Sequence, residues 1–395
     1  MRLSVIGILL LPMLLIFGDA FAKENGAGNG DRVDTQFSYV GTYTEQGHKG
    51  KGIYCFDFHP ESTERIKLKL LGTTTGIKNP SYLTIHPNGK FLYAVSELAS
   101  DDGMNGGMVW AYKIDTKSGE LKALNCQPSE GGGPCYAAVD RTGSCLLVAN
   151  YTSGSIAALP ILEDGSLGTA KSKVQHEGSS VDPERQKGPH AHSVNISPDN
   201  NYAIAADLGL DKLLIYKLDP KTASLVKNEP AFSETPPGGG PRHLSFSRDG
   251  KFAYISNEMK SSVSVCAFDA SKGSLSVIQT VSTLNEKVEG NSTAEILMHP
   301  DGKFLYCSNR GHDSLAIFKV EQDTGKLTLL GHAPTLGHTP RNFGIDSSGN
   351  YIIVCNQNSS NLVVFKIDRE SGLLKVLGDP LPLPSPVCIK FLLVK

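Results

Sequence analysis

The sequence predicts an all-β protein, a seven-bladed β-propeller with four antiparallel strands per blade, and three observations carry that prediction. A pattern of strand, tight turn and strand recurs six times along the chain at a spacing of about 50 residues, the length of one blade. Each copy runs on into two more strand-like segments, which makes four strands per repeat. The two ends of the chain hold complementary parts of one further copy, so the ring is closed by three N-terminal strands plus one C-terminal strand and has no open sheet edge.

The 395 residues are 39% hydrophobic and 20% charged, enough apolar material for a sizeable core and too much for wholesale disorder. Lys and Arg number 38 against 40 Asp and Glu, so no basic surplus points to nucleic acid. The 41 glycines and 22 prolines suit many short strands joined by turns. At the start, Arg2, an apolar run over residues 3–17 and Ala20-Phe21-Ala22 form a secretory signal peptide over residues 1–22. That run is shorter than the roughly 20 residues a membrane span needs, so the mature chain is expected to be exported, periplasmic or secreted, and free of the membrane after signal cleavage. Residues 23–36 are polar and Gly-rich and are expected to be a flexible linker, with the propeller filling 37–395.

FSYVGTYT, IYCFDF and IKLKLLG then match strands two to four of a blade that lacks its first strand. Six full copies follow, opening at Asn79, Gly133, Pro189, Gly240, Ser292 and Thr339; GPRHLSFSRDGKFAYISNE and STAEILMHPDGKFLYCSNR are typical. Their turns are of the Asn/Asp-Gly kind, whose residues tolerate the positive φ that a tight hairpin requires. Third strands such as VSVCAFD and LAIFKV come next, then a Gly-containing turn and fourth strands such as GSLSVI and GKLTLL. The final SPVCIKFLLVK matches a first strand only and completes the seventh blade.

The first strand of a propeller blade lines the central channel, and a hairpin brings residues equally far from its turn to the same end. The turns lie at Asn88, Thr142, Asp199, Asp249, Asp301 and Ser348. Seven residues earlier stand Ser81, Cys135, His192, Arg242, Ala294 and Arg341, and six earlier Tyr82, Tyr136, Ser193, His243, Glu295 and Asn342. Nine residues later stand Glu97, Tyr151, Leu208, Glu258, Arg310 and Gln357, with Tyr43 in the matching place of the split blade. These rings meet at one mouth of the channel, where convergent polar groups make the default site. His192 and Glu258 are candidates for acid–base work, and the arginines either pair with Glu97, Glu258 and Glu295 or clamp an anion. His190 is offset from the ring and is expected to support the site, and Asp207 to orient His192 or its loop.

No nucleophile elbow, phosphate-binding loop, dinucleotide fingerprint or HExxH occurs, and the eight cysteines lack metal-ligand spacing and read as small buried hydrophobes, with one or two disulfide bridges as the alternative, so neither metal nor cofactor is expected. Nothing in the sequence assigns an oligomeric state.

YVGTYT, PHAHSVNISPD, GPRHLSFSRDGKFAYISNE and FLYCSNRGHDSLAIF resemble the seven-bladed lactonase propellers, over essentially residues 37–395. That family includes a bacterial 6-phosphogluconolactonase and the fungal carboxy-muconate lactonizing enzyme. The resemblance implies catalytic roles for His192, Glu258, Arg242 and Arg310, the residues that the spacing also brings together. The ring positions themselves offer Arg341, Glu97, Tyr43, Tyr151, Gln357, Glu295, His243 and Asn342 as expected substrate contacts. The expected activity is hydrolysis of a small anionic sugar lactone by base-activated water. A muconate-type cycloisomerase and a non-catalytic exported binding propeller are the alternatives. Removing His192 or the Glu258 charge is expected to cut turnover with little effect on folding.

Overall fold

A computed structural model describes residues 36–60, 66–99 and 106–394. The expected signal peptide and nearly all of the linker lie outside the described residues. Gln36, expected as the last linker residue, instead begins the first strand, and its side chain donates to Asp346 (3.2 Å).

Among the described residues the chain forms seven four-stranded antiparallel sheets, each a meander of neighbouring strands. In the closing sheet the C-terminal strand Pro386–Leu393 pairs with the N-terminal strand Gln36–Thr42, followed by Ile53–Pro60 and Ile66–Thr74. The inner strands of the other six are Leu83–Ile85, Pro134–Val139, Ala191–Ile196, Pro241–Phe246, Ser292–Met298 and Pro340–Ile345. Second strands such as Cys145–Asn150 and Tyr202–Asp207 are buried along their whole length because both faces touch neighbouring blades. That is why they read as continuous apolar runs rather than as an alternation.

The turns obey their sequence. Gly89, Gly250 and Gly302 adopt φ of 70°, 73° and 80°, and Asn200 takes the same left-handed place (φ 65°) where the third repeat lacks glycine. Asn88, Asp249 and Asp301 each accept the backbone N–H two residues on, at 2.9, 3.1 and 2.9 Å, which closes the turn from the side-chain end. All eight cysteines are free thiols and seven are buried; burial pushes Cys145 and Cys266 up to about 12.

One feature of the inner hairpins positions the site. Pro134, Ala191, Pro241, Thr293 and Pro340 pair with Asn150, Asp207, Asn257, Asn309 and Asn356, residues equally far from the turn. Nearer the turn the register is offset, so every one of these five inner strands carries a β-bulge that includes the residue seven before its turn. A bulge suspends the up–down alternation and re-aims side chains. Arg242 and His243, adjacent in sequence, are therefore both available to the channel. The N–H groups of His243 and Glu295 within the bulges are taken by the hydroxyls of Ser256 (3.2 Å) and Ser308 (3.0 Å).

Candidate active site

Above the bulges a second contact sets the height of the opposing ring. The backbone N–H of Glu258 donates to Gly240 O (2.8 Å), and Tyr151, Glu97 and Gln357 repeat this with Gly133 (2.8 Å), Asn79 (3.0 Å) and Thr339 (2.9 Å). Glu258 opens a short 3₁₀ turn, Glu258–Lys260, at the end of the strand Phe252–Asn257. The strand start opposite it is held by Asp211, whose two carboxylate oxygens accept from Gly238 N (2.6 Å) and Gly240 N (2.8 Å). Positive φ at both glycines lets the chain turn tightly around that carboxylate.

A cavity of about 200 Å³ results, lined by Glu97, Cys135, Tyr151, Arg185, His192, Arg242, Glu258, Arg310 and Arg341. Glu258 is its hub. Its Oε2 accepts from Arg242 Nη1 (2.7 Å) and Arg310 Nη2 (3.0 Å), and its Oε1 from Arg185 Nη2 (3.0 Å). Burial alone would raise the Glu258 carboxyl, but Arg310, Arg242 and Arg185 together hold it well below the usual carboxylate range. Burial pulls the Arg310 guanidinium down to about 10, which leaves it charged at neutral pH.

His192 is buried beside this cluster, with Nε2 against Arg242 Nη1 and 4.0 Å from Glu258 Oε2. A guanidinium has no acceptor, so Nε2 must carry the lone pair and Nδ1 the proton. That Nδ1–H faces Cys135 Sγ at 3.6 Å, while the thiol donates to the His192 carbonyl at 3.3 Å. Burial, and then the Arg242 charge, hold His192 well below the usual histidine range, so the ring is neutral at working pH. Opposite, Tyr43 OH donates to Glu97 Oε2 (3.0 Å), and the Arg341 guanidinium lies 5.4 Å from the centre of the Tyr43 ring. Four guanidinium groups thus face the two carboxylates Glu97 and Glu258 around a neutral imidazole, an excess of two positive charges.

The structure brings His192, Glu258, Arg242, Arg310, Arg341, Glu97 and Tyr151 together on the cavity wall, with Tyr43 just behind Glu97. His243, Glu295 and Asn342 do not reach it. They are buried in a second layer that closes the channel: His243 Nδ1 meets Glu295 Oε1 (2.9 Å), Asn342 Nδ2 donates to Glu295 Oε2, and Asn342 Oδ1 accepts from Ile389 N (2.9 Å). Tyr82 and Tyr136 stack there at 4.2 Å, with Lys390 Nζ 4.5 Å from the centre of the Tyr82 ring. His243 also meets the His192 ring edge-on at 5.3 Å, so these three residues stand behind the cavity wall rather than on it, where substrate contact was expected. Gln357 lines a separate, more open hollow of about 500 Å³ beside His48 and Ser360. His190 stacks on Tyr151 (4.6 Å) and approaches the Tyr151 carbonyl through Nδ1 (3.0 Å). Asp207 holds the loop rather than His192: its oxygens take His190 N (2.7 Å), Gly209 N (3.0 Å) and His176 Nδ1 (2.6 Å).

Arg185 was not legible from the repeat, because it lies on the connection 176–190 between the strands Ser172–Gln175 and Ala191–Ile196. The signal that could have found it is the length of that connection, since long loops in compact folds carry function. Cys135 sat in the ring seven before the turn but had no role until its contact with His192 was visible.

Fold and site together define a closed seven-bladed propeller with a small cationic pocket. The family described as "Lactonase, 7-bladed beta-propeller" matches residues 37–391, and the chain belongs to that family. It is 38% identical over 355 residues to the 6-phosphogluconolactonase of Bacillus subtilis, covering 90% of this chain and 97% of the relative. The 6-phosphogluconolactonase of Formosa agariphila is 37% identical over 315 residues, 79% of this chain and 86% of the relative. Among solved structures, the Pseudomonas aeruginosa periplasmic gluconolactonase superposes with a TM-score of 0.84 at 36% identity, over 91% of this chain and 100% of that one.

Proposed function

We propose that this chain is a lactone hydrolase of the 6-phosphogluconolactonase type, acting on a sugar lactone that carries an anionic group. The observation that supports the anionic substrate is the two-charge cationic excess around a neutral imidazole. The relatives named above support lactone hydrolysis, and neither alternative raised by the sequence gains support from them.

In the free pocket the His192 Nε2 lone pair is engaged by Arg242. A substrate carbonyl oxygen that draws Arg242 onto itself frees that lone pair for a water molecule. As the water oxygen bonds to the carbonyl carbon, its proton passes to His192 Nε2, and the negative charge gathering on the carbonyl oxygen is offset by guanidinium. The ring C–O bond then breaks, the proton passes from His192 to the departing alkoxide oxygen, and a hydroxy acid leaves. Glu258 keeps Arg242 and Arg310 converged on one point throughout.

Freshly generated 6-phosphogluconolactone, assayed beside unphosphorylated gluconolactone, tests this reading. Hydrolysis above spontaneous opening is expected on the phosphorylated lactone, with kcat/KM reduced by about a hundredfold or more in Arg242→Ala, the scale of losing one preorganised donor. Hydrolysis of neither lactone above background would remove the activity. Export belongs to the same proposal: the residues that make up the 1–22 signal support it, as does the periplasmic Pseudomonas aeruginosa relative. N-terminal sequencing of the protein recovered outside the cytoplasm should read from Lys23; recovery of the full chain from the cytoplasm alone would refute export.

A further inference from the structure

Arg185 differs from the other guanidinium groups of the pocket in origin and in exposure. Arg242, Arg310 and Arg341 belong to the strands Pro241–Phe246, Phe304–Arg310 and Pro340–Ile345. Arg185 comes from a loop, and its side chain is 47% exposed, against 3% for Arg242 and 14% for Arg310.

The loop is nonetheless firmly held. His176 and Asp207 anchor one end through a buried contact of 2.6 Å, Ser180 Oγ donates to Asp211 Oδ2 (2.6 Å), and Gln186 Nε2 donates to Leu208 O (2.8 Å). Between these anchors the N–H groups of Glu184 and Arg185 donate to Asp182 Oδ1 at 2.9 and 2.8 Å, forming a tight turn. The backbone of Arg185 is therefore fixed while its guanidinium is free to exchange partners. Its present partners are Glu258 Oε1 (3.0 Å) and Tyr151 OH (3.1 Å), both contacted through Nη2. Arg242 and Arg310 share the other oxygen, Oε2.

Water reaches the Arg185 end of its ion pair, whereas the Arg242 pair is buried at both ends, so exchange costs less at Arg185. An arriving anion can therefore take Arg185 from Glu258 where it could not strip the carboxylate of Arg242. The planar guanidinium fork also matches a phosphoryl group in two-point fashion.

We propose that Arg185 is the residue through which this pocket recognises an anionic group carried away from the lactone ring, a phosphoryl ester first of all, and so sets the preference for charged over neutral lactones; this rests on the lactone-hydrolase reading above. On binding, the guanidinium moves from Glu258 Oε1 to the phosphoryl oxygens, and Tyr151 OH, which accepts from Arg185 in the free pocket, turns its own proton to the same group.

Two readouts test this, one independent of turnover. Calorimetric titration of the hydrolysis products, 6-phosphogluconate and gluconate, into the wild-type protein should show tighter binding of the phosphorylated acid. In Arg185→Gln that preference should fall about tenfold to a hundredfold, the scale of a lost charge-assisted contact, with Arg185→Lys recovering part of it. In kinetics the same variant should raise KM for the phosphorylated lactone more than it lowers kcat. Equal weakening of both acids, no weakening of either, or no preference in the wild type would each overturn the proposal. Preferential binding that depends on Arg185 in a protein that hydrolyses neither lactone would overturn the hydrolase reading and leave the anion-recognition role standing.

Discussion

Replacing Glu258 with glutamine is expected to lower both thermal stability and kcat/KM, the latter by about a hundredfold to a thousandfold, on the scale of losing preorganised electrostatics in a buried site. The carboxylate is the shared counter-ion of Arg242, Arg310 and Arg185, and Arg242 is only 3% exposed. Glutamine keeps the shape but removes the charge, and its NH₂ cannot accept from a guanidinium. Breaking a buried pair while leaving one charge behind costs about 3–5 kcal/mol. The sequence alone suggests little effect on folding; the three-way sharing of one carboxylate reverses that expectation.

The sign with pH follows from the same geometry. Glu258 titrates below its unfolded value, so its stabilising contribution is fully present above the ordinary carboxylate range and is lost as pH falls through the depressed folded value. The variant should lack that part of the wild-type acid transition. Added inorganic phosphate should restore some of its melting temperature by occupying the space among the arginines. Thermal melts with and without phosphate, at neutral and acid pH, check all of this. A variant that melts with the wild type and turns over at its rate would remove Glu258 from the hub.

Replacing His192 with alanine is expected to act differently. The kcat should drop by about a hundredfold to ten-thousandfold, the usual contribution of a positioned general base. Stability should fall by only about 1–3 kcal/mol, because Arg242 keeps its carboxylate and the loss is a buried ring with its contacts. The wild-type pH profile adds a second check. Burial and Arg242 hold His192 well below the usual histidine range, so the acid limb of kcat/KM should lie well below pH 6.5 and be absent from the variant's residual activity. The sign for stability is also set: a buried histidine of depressed pKa leaves the unfolded chain binding more protons, so this group destabilises the fold as pH drops below about 6.5. An acid limb at the free-histidine value, or one that survives in His192→Ala, would assign the base elsewhere.

Much of this architecture was legible in the chain. The hairpin turns declare themselves through Asn, Asp and Gly, because positive φ and side-chain turn closure are local demands met by few residue types. Counting from those turns placed His192, Arg242 and Arg341 in one ring and Glu97, Tyr151, Glu258 and Arg310 in the other, and seven of those side chains do line one cavity. The same count also selected His243, Glu295 and Asn342, one residue along each strand, and these stand behind the cavity wall rather than on it. Whether the second residue of a bulge faces the pocket or the layer behind it depends on how far the bulge rotates the strand, and no spacing rule contains that angle.

The closure of the ring by strands from both ends follows from the sequence by itself, because a blade needs four strands and the two ends together supply them. Which charges share which oxygen was decided only by tertiary structure. Arg185 reaches Glu258 across 73 residues of chain, from a loop outside the repeat, and His243 reaches Glu295 across 52. Strands and turns express preferences between near neighbours in the chain. The pairing of buried charges expresses instead the radius and closure of the ring, which set residues of different blades side by side, and burial then makes each such contact strong enough to reset the protonation of its members.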